Sequence, residues 1–287
     1  MRRIHALVTS ALALLVLGMI GPTTTAGAAT TSSPAAEPPT TYYVALGDSL
    51  ATGGGSTGGL GYVNDIYAAE KSIIPGLQLA NLACAGDSTT KMIHGGNCQN
   101  YTSGNQLGDA EAFLASHQGS VKFVTMDVGG DDVDGCAPNG VINDTCLQKG
   151  LQALATNMQT ILGGLRQAGG NVPIVGMTYY DPWLSYYLTG PSGQQTAFAS
   201  LSVLHQLNSE LRSAFDQYHV RFAAVQKTFA SWNTAPTGSF NGQALPQDVA
   251  NICNWTHMCD QIPNVHTNNT GHALLAKDFE TRLKLLR

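Results

Sequence analysis

The stretch that decides the fold is Tyr42-Tyr43-Val44-Ala45-Leu46-Gly47-Asp48-Ser49-Leu50, near the start of the chain. Its first five residues are apolar or aromatic, so they predict a short buried strand that ends at Gly47. Further short apolar runs predict strands over residues 78–82, 121–126, 172–177 and 220–225. Helical patterns lie between these runs, and strands that alternate with helices favour βαβ units and a parallel sheet. The sequence therefore predicts an α/β fold.

Apolar residues at helical spacing predict four helices. They span residues 107–117, 147–168, 196–218 and 271–286. The third helix carries a stripe of Phe198, Leu201, Leu204, Leu207, Leu211 and Phe215. We interpret such stripes as faces that pack against the core.

The N-terminal residues predict a protein that is exported. Arg2 and Arg3 precede an apolar stretch over 6–20, and Ala26-Gly27-Ala28 is a small-residue cleavage pattern. We expect a signal peptide over 1–28, because the apolar stretch is too short for a comfortable membrane span. Residues 29–40, rich in Thr, Ser, Pro and Ala, are interpreted as a disordered leader. The remaining residues, 41–287, fit one domain.

Charge argues against several classes of partner. Removal of two arginines with the signal peptide leaves 12 basic residues against 19 acidic ones, a formal charge of −7. No cluster of lysine and arginine occurs, so we expect neither nucleic acid nor an anionic membrane surface as a partner. We expect a monomer without a stable membrane anchor.

Six cysteines lie in the predicted mature chain, and an even number in an exported protein favours disulfides. Six cysteines allow fifteen pairings, and the sequence alone does not choose among them. They fall into three short-range couples, so we expect Cys84–Cys98, Cys136–Cys146 and Cys253–Cys259. No Cys-x-x-Cys pair occurs, which argues against zinc, and we expect neither a metal nor a cofactor.

Residues that suit acyl transfer follow the predicted strands. Ser49 follows the first strand, Cys84-Ala85-Gly86-Asp87 the second, and Gly129-Gly130-Asp131-Asp132 the third, while His266 precedes the last helix. In parallel sheets, functional sites form in the loops after the carboxyl ends of strands. Acyl transfer needs a nucleophile, a base and N–H donors for the oxyanion, and these blocks supply all three.

These blocks, in this order, resemble the SGNH (GDSL) hydrolase family from Tyr42 to the last helix. The resemblance is closer to its secreted actinobacterial-type branch of esterases, lipases and phospholipases. The similar stretches there are Asn81-Leu82-Ala83-Cys84, Gly150-Leu151, Tyr179-Tyr180-Asp181-Pro182, and Ile252-Cys253 through Met258-Cys259. The resemblance implies the flavodoxin-like fold of SGNH hydrolases, a single three-layer α/β/α domain with a central, mainly five-stranded parallel sheet.

The resemblance also implies roles for four residues. Ser49 matches the nucleophile of the family, and its backbone N–H is one oxyanion donor. Gly86 matches the glycine whose N–H is the next donor. Asp131 falls where the family has an Asn side-chain donor, and His266 matches the catalytic base.

The chain departs from the family pattern at two places. The family often has Gly-x-Asn-Asp where this chain has Gly129-Gly130-Asp131-Asp132. The family often has an Asp two or three residues before the His, where this chain has Asn264 and Pro263. We therefore expect a Ser–His dyad in which a main-chain carbonyl orients His266. Asp260 and Asp248 are alternative acids.

The expected function is a secreted serine esterase or lipase that hydrolyses carboxylic esters of lipids or other acyl compounds. The alternative is a catalytically impaired relative that binds lipids or glycans on the same scaffold. Four aromatic residues are candidates either for an acyl groove or for the core, namely Tyr180, Trp183, Tyr186 and Tyr187. The glycine-rich run Gly53–Gly58 follows no strand directly, so we interpret it as a mobile loop at the edge of the site. The other histidines, His257 and His272 among them, are interpreted as surface or core residues.

Overall fold

The computed structural model describes residues 38–285 of the 287-residue chain. The predicted signal peptide and residues 29–37 of the predicted leader lie outside the described residues. A five-stranded sheet is built from β1 (Thr41–Gly47), β2 (Leu77–Asn81), β3 (Val121–Asp127), β4 (Ile174–Met177) and β5 (Arg221–Ala223). All neighbouring strands are parallel, in the order β2-β1-β3-β4-β5. The predicted α/β fold with a five-stranded parallel sheet is confirmed.

Helices flank the sheet. They are α1 (Tyr62–Lys71), α2 (Thr89–His94), α3 (Gln106–Ser116), α4 (Asp144–Gly169), α5 (Pro191–Gln217), α6 (Val225–Thr228), α7 (Gln247–Trp255) and α8 (Asn269–Lys284). Helices α1 and α8 pack on each other, while α3, α4 and α5 pack side by side. None of the helices within residues 38–285 is both long enough and apolar enough to cross a membrane.

Helix α4 illustrates how the sequence fixes these helices. Its start is capped by Asn143, whose side chain accepts a hydrogen bond from the N–H of Cys146. Its end is marked by Gly170, whose φ of 58° is a conformation that glycine adopts without strain. Its buried face consists of Leu147, Leu154, Met158, Ile161, Leu162 and Leu165. Each such side chain stabilises the fold by roughly 1.5–3 kcal/mol when fully buried.

Some local expectations were incomplete. Four helices, α1, α2, α6 and α7, were not predicted. Two small antiparallel pairs were not predicted either, namely β6 (Gly238–Phe240) with β7 (Gln243–Leu245) and β8 (Thr256–His257) with β9 (Asn264–Thr267). These strands are two to four residues long, too short for a hydrophobic period to be recognised. Placing Phe198 in a core face is wrong, because 44% of this residue is exposed.

The three predicted disulfides are confirmed. Cys84 is bonded to Cys98, Cys136 to Cys146, and Cys253 to Cys259. The first bond ties the loop after β2 to the segment after α2, and the second ties the loop after β3 to the first turn of α4, so both brace the same edge of the sheet.

The strand order creates a crevice at that edge. The chain moves from β1 outward to β2 and then returns to β3 on the other side of β1, so connections leave β1 and β3 in opposite directions. Ligands of open α/β sheets bind at such a switch point, outside the carboxyl ends of the strands. Ser49 and Asp131 follow β1 and β3, and the topology therefore places both at the crevice.

Candidate active site

Three of the four predicted site residues line one cavity. Ser49, Asp131 and His266 all border one open cavity at the carboxyl end of the sheet. Gly86 does not line this cavity. Its segment is nevertheless tied to the end of β1, because the N–H of Cys84 donates to the carbonyl of Gly47 over 3.0 Å.

The turn that carries Ser49 is fixed on both sides. The N–H of Asp48 donates to Oδ1 of Asp127 over 2.8 Å, and Oδ1 of Asp48 accepts from the N–H of Leu50 over 2.9 Å. The hydroxyl of Tyr179 donates to the other oxygen of Asp48 over 2.7 Å. Gly47 has a φ of 139°, and a Cβ there would lie only 1.6 Å from Oδ1 of Asp127. The strand can therefore turn toward Ser49 only at a glycine.

Two backbone donors suit an oxyanion. Within residues 38–285, neither the N–H of Ser49 nor the N–H of Gly86 has a hydrogen-bond acceptor. Gly86 has a φ of 78°, a backbone conformation that favours glycine. Free N–H groups of this kind stabilise the negative charge of a tetrahedral intermediate.

The carboxyl of Asp131 is poorly compensated. Its Oδ2 atom is buried and has no hydrogen-bond partner within the described part of the chain. Burial raises the pKa of this carboxyl, although Lys91 and His266 act in the opposite direction. An ionised carboxylate only accepts hydrogen bonds, whereas the protonated form also donates one.

A side-chain oxygen orients His266. Oδ1 of Asn264 accepts from the N–H of His266 over 3.0 Å and also from Nδ1 of its ring. Because Nδ1 carries the proton in that contact, Nε2 is left with the free lone pair that a base requires. The expectation of a main-chain carbonyl at this position is wrong. Asn264 is isosteric with Asp and supplies the acceptor two residues before the histidine.

The alternative acids do not contact His266. Asp248 is buried and accepts from the N–H of Val249 over 2.8 Å. Asp260 lies 2.6 Å from Nδ1 of His257. Neither carboxylate therefore completes a triad with His266.

The environment of His266 keeps its ring neutral. Burial lowers the pKa of His266, the positive charge of His257 lowers it further, and Asp131 raises it. An imidazole with a pKa below its usual range is unprotonated at neutral pH and is able to accept a proton.

The glycine-rich run lies against the site. A Cβ on Gly54 would meet the carbonyl oxygen of Ser49 at 2.8 Å and Cδ2 of His266 at 2.9 Å. The run is anchored to α8, because the N–H of Thr57 donates to Oδ1 of Asn269 over 2.8 Å. Only a residue without a side chain fits at Gly54.

The rest of the cavity is mainly apolar. Helix α5 contributes Val203, Leu204 and Leu207, and the loop after β4 contributes Tyr180 and Trp183. Tyr186 and Tyr187 do not line it: the hydroxyl of Tyr186 donates to the carbonyl of Ala137, and Tyr187 packs edge-on against Phe198. Of the four aromatic candidates, two line the cavity and two pack in the structure around it.

A family model described as the GDSL-like lipase/acylhydrolase family matches residues 45–274. The chain belongs to this family. The resemblance seen in the sequence blocks is thereby confirmed. The match starts within β1 and ends within α8, so it includes Ser49, Gly86, Asp131 and His266. As a GDSL-like lipase/acylhydrolase, the chain is a carboxylic ester hydrolase.

Solved structures with the same fold include three hydrolases. A phospholipase A1 from Streptomyces albidoflavus NA297 is 16% identical with a TM-score of 0.57, over 85% of this chain and 99% of that one. An extracellular lipase from Streptomyces rimosus is 16% identical with a TM-score of 0.58, over 84% and 99%. The acetyl xylan esterase AlAXEase is 14% identical with a TM-score of 0.52, over 84% and 98%. At these low identities, the similarity of the structures shows a shared fold and nothing more. A search of curated proteins found no match to the chain.

Sequence reasoning missed Asn264 as a site residue of this GDSL-like hydrolase. The signal was present, because Asn264 occupies one of the positions where the family often has an Asp. It was overlooked because an amide lacks the charge of a carboxylate, although its oxygen accepts the same hydrogen bond.

Asn264→Ala is expected to lower kcat of ester hydrolysis by about 10²-fold, because the ring of His266 loses the acceptor that fixes its orientation. Asn264→Asp is expected to keep most of the activity at mildly alkaline pH. Its negative charge raises the pKa of His266, and because His266 acts when neutral, the acid limb of kcat/KM moves to higher pH. Steady-state kinetics against pH would measure both effects.

Asn100→Ala, a change at an exposed asparagine, is the matched control and is expected to behave as wild type. Wild-type kcat in a folded Asn264→Ala protein would contradict the orienting role.

Proposed function

We propose that the mature chain is a secreted esterase or lipase that cleaves carboxylic esters through an acyl-enzyme on Ser49. The observation that carries the proposal is that Ser49 and a neutral, oriented His266 border one mainly apolar cavity. An apolar cavity beside a nucleophile suits the acyl part of an ester substrate.

The proposed chemistry has two half-reactions. Oγ of Ser49 attacks the ester carbonyl carbon while Nε2 of His266 takes the hydroxyl proton. The N–H groups of Ser49 and Gly86 donate to the oxyanion of the tetrahedral intermediate. This intermediate collapses when the alcohol leaves with the proton from His266. Water then attacks the acyl-enzyme with His266 again as the base, which releases the carboxylic acid and regenerates Ser49.

The acyl part is proposed to lie among the apolar side chains that helix α5 and the loop after β4 contribute to the cavity. Tyr180 lines the cavity and also supports the segment of the proposed base, because its hydroxyl donates over 2.6 Å to the carbonyl of Val265, the neighbour of His266.

Export is proposed from the N-terminal residues alone, whose charged start, apolar stretch and cleavage pattern are typical of a signal peptide.

A series of p-nitrophenyl esters of increasing chain length tests the proposed function on the mature chain. We expect hydrolysis that saturates with substrate and an optimum chain length set by the cavity. Leu207→Trp, which fills the cavity with a larger side chain, is expected to shift the optimum to shorter chains. No hydrolysis of any ester in the series would contradict the proposal.

A further inference from the structure

Two histidines bind consecutive carbonyl oxygens of the glycine-rich run. Nε2 of His272 lies 2.8 Å from the carbonyl oxygen of Gly54, and Nε2 of His257 lies 2.9 Å from that of Gly55. A carbonyl oxygen only accepts hydrogen bonds, so Nε2 carries a proton in both rings.

His272 is neutral in this arrangement. Its second nitrogen, Nδ1, accepts from the N–H of Tyr62 over 3.2 Å and therefore carries no proton. The side chain is buried, with 1% of the residue exposed, and burial lowers its pKa. A proton added at Nδ1 would point at the N–H of Tyr62.

His257, unlike His272, is positively charged in this arrangement. Its Nδ1 lies 2.6 Å from Oδ2 of Asp260, so both ring nitrogens face acceptors and both donate. The hydrogen bond to Asp260 raises the pKa of His257, which favours the charged ring. The ring thus links the carboxylate to the carbonyl of Gly55.

The segment held by these two rings lies directly on the proposed catalytic residues. The N–H of Gly54 donates to the carbonyl of Ser49 over 2.7 Å. A Cβ on Gly54 would lie 3.0 Å from Nε2 of His266, and a Cβ on Gly55 would lie 2.7 Å from Cβ of His266. The backbone of Gly54 therefore lies against the imidazole and that of Gly55 against the Cβ of His266, and neither position has room for a side chain.

We propose that His257 and His272 are positioning residues, which hold the backbone of Gly54 and Gly55 against His266 so that its ring stays oriented toward Ser49 and shielded from water. The proposal rests on the proposed role of His266 as the base. Neither histidine was predicted from the sequence to take part in the site.

Release of the segment has a predictable electrostatic result. Burial is the main cause of the lowered pKa of His266, so water that enters beside the ring raises this pKa toward its usual value. The charged groups that act on His266 are Asp131 and His257. His272 is affected by Asp65 and by the other two histidines, His257 and His266. Asp260 faces His257. Loss of the His257 charge raises the pKa of His266 as well. Both changes move the acid limb of kcat/KM to higher pH.

The test compares His272→Leu, His272→Gln and His257→Leu with wild type and with His94→Leu, a change at an exposed histidine. For the two leucine variants at 257 and 272 we expect kcat to fall by about 10- to 100-fold, with KM changed by less than about twofold. NMR titration should give a higher pKa for His266 in both. His272→Gln keeps a donor for the carbonyl of Gly54 and is expected to recover most of kcat. His94→Leu should match wild type.

Unchanged kcat and an unchanged His266 titration in folded variants would overturn the proposal, even if their melting temperatures fell. His257 is partly exposed, with 32% of its side chain accessible, so His257→Leu keeps the test available if His272→Leu does not fold. If the wild type hydrolysed no ester, the proposed function would fail, and the NMR titration would still decide whether the two histidines keep water from His266.

Discussion

Replacing Ser49 by alanine is expected to reduce ester hydrolysis by ~10⁴-fold or more while the fold stays intact. The hydroxyl is the proposed nucleophile, and the half-buried side chain is small, so its removal leaves the packing of the turn unchanged. His266→Ala is expected to cost as much, because the nucleophile is weak without a base. The double variant should be little worse than either single variant, since the two residues act as a unit. Measurements of kcat/KM and of thermal unfolding would test this.

Ser56→Ala provides a matched control. Ser56 lies in the Gly54–Gly58 stretch that fits the Gly-x-Ser-x-Gly pattern of other serine hydrolases, and its hydroxyl donates to the carbonyl of Gly53. This serine follows no strand directly, so the context of that pattern is missing. We expect Ser56→Ala to keep most of the activity. The reverse outcome, with Ser49→Ala active and Ser56→Ala inactive, would move the nucleophile to the glycine-rich run.

Asp131→Asn is expected to raise kcat by up to about 10²-fold at mildly alkaline pH. An amide donates a hydrogen bond at every pH, whereas the wild-type carboxyl donates only while it is protonated. Burial raises the pKa of Asp131, so wild-type activity is expected to be highest at mildly acid pH and to fall as this group ionises. The Asp131→Asn variant should not lose activity in this pH range, because its amide does not ionise. Removal of the charge also lowers the pKa of His266, so the acid limb should extend to lower pH.

Asp134→Asn is the control for Asp131→Asn, because it removes a negative charge near the site without adding a donor at the position of Asp131. Asp134 lines the same cavity, but it does not occupy the family position of the oxyanion donor. We expect a change in the pH profile without the gain in kcat at alkaline pH. Loss of activity by Asp131→Asn at every value across roughly pH 5 to 9 would mean that Asp131 has a different role.

Much of the fold was predictable because its signals are local. The run from Tyr42 to Leu46 is continuously apolar, as expected for a strand covered on both faces, and the stripe of α4 has a clear helical period. Short-range cysteine couples predicted all three disulfides. The family resemblance indicated where to look for the site, because its blocks follow consecutive strand ends.

The contacts around His266 could not be predicted in the same way. The partners of His257 and His272 are carbonyl oxygens about 200 residues earlier in the chain, and every residue has such a carbonyl. The acceptor role of Asn264 depends on strand β9, whose extended backbone places the side chains of Asn264 and His266 on the same face. Side chains of Val203 and Leu207 serve both core and cavity, which a hydrophobic stripe does not distinguish.

The carboxyl of Asp131 is the feature that most favours an impaired relative that binds lipids or glycans. A binding protein would retain the apolar cavity and would not need an activated serine. The two functions differ in the reactivity of Ser49, because only a serine with a working base reacts rapidly with an electrophilic phosphonate.

Labelling of the mature protein with a fluorophosphonate, followed by peptide mass spectrometry, is the most direct test of the central claim. We predict one covalent adduct on Ser49, formed in parallel with the loss of esterase activity, and strongly slowed labelling in His266→Ala. An unlabelled Ser49 in a protein that hydrolyses esters, or an adduct on another serine that abolishes activity, would contradict the account.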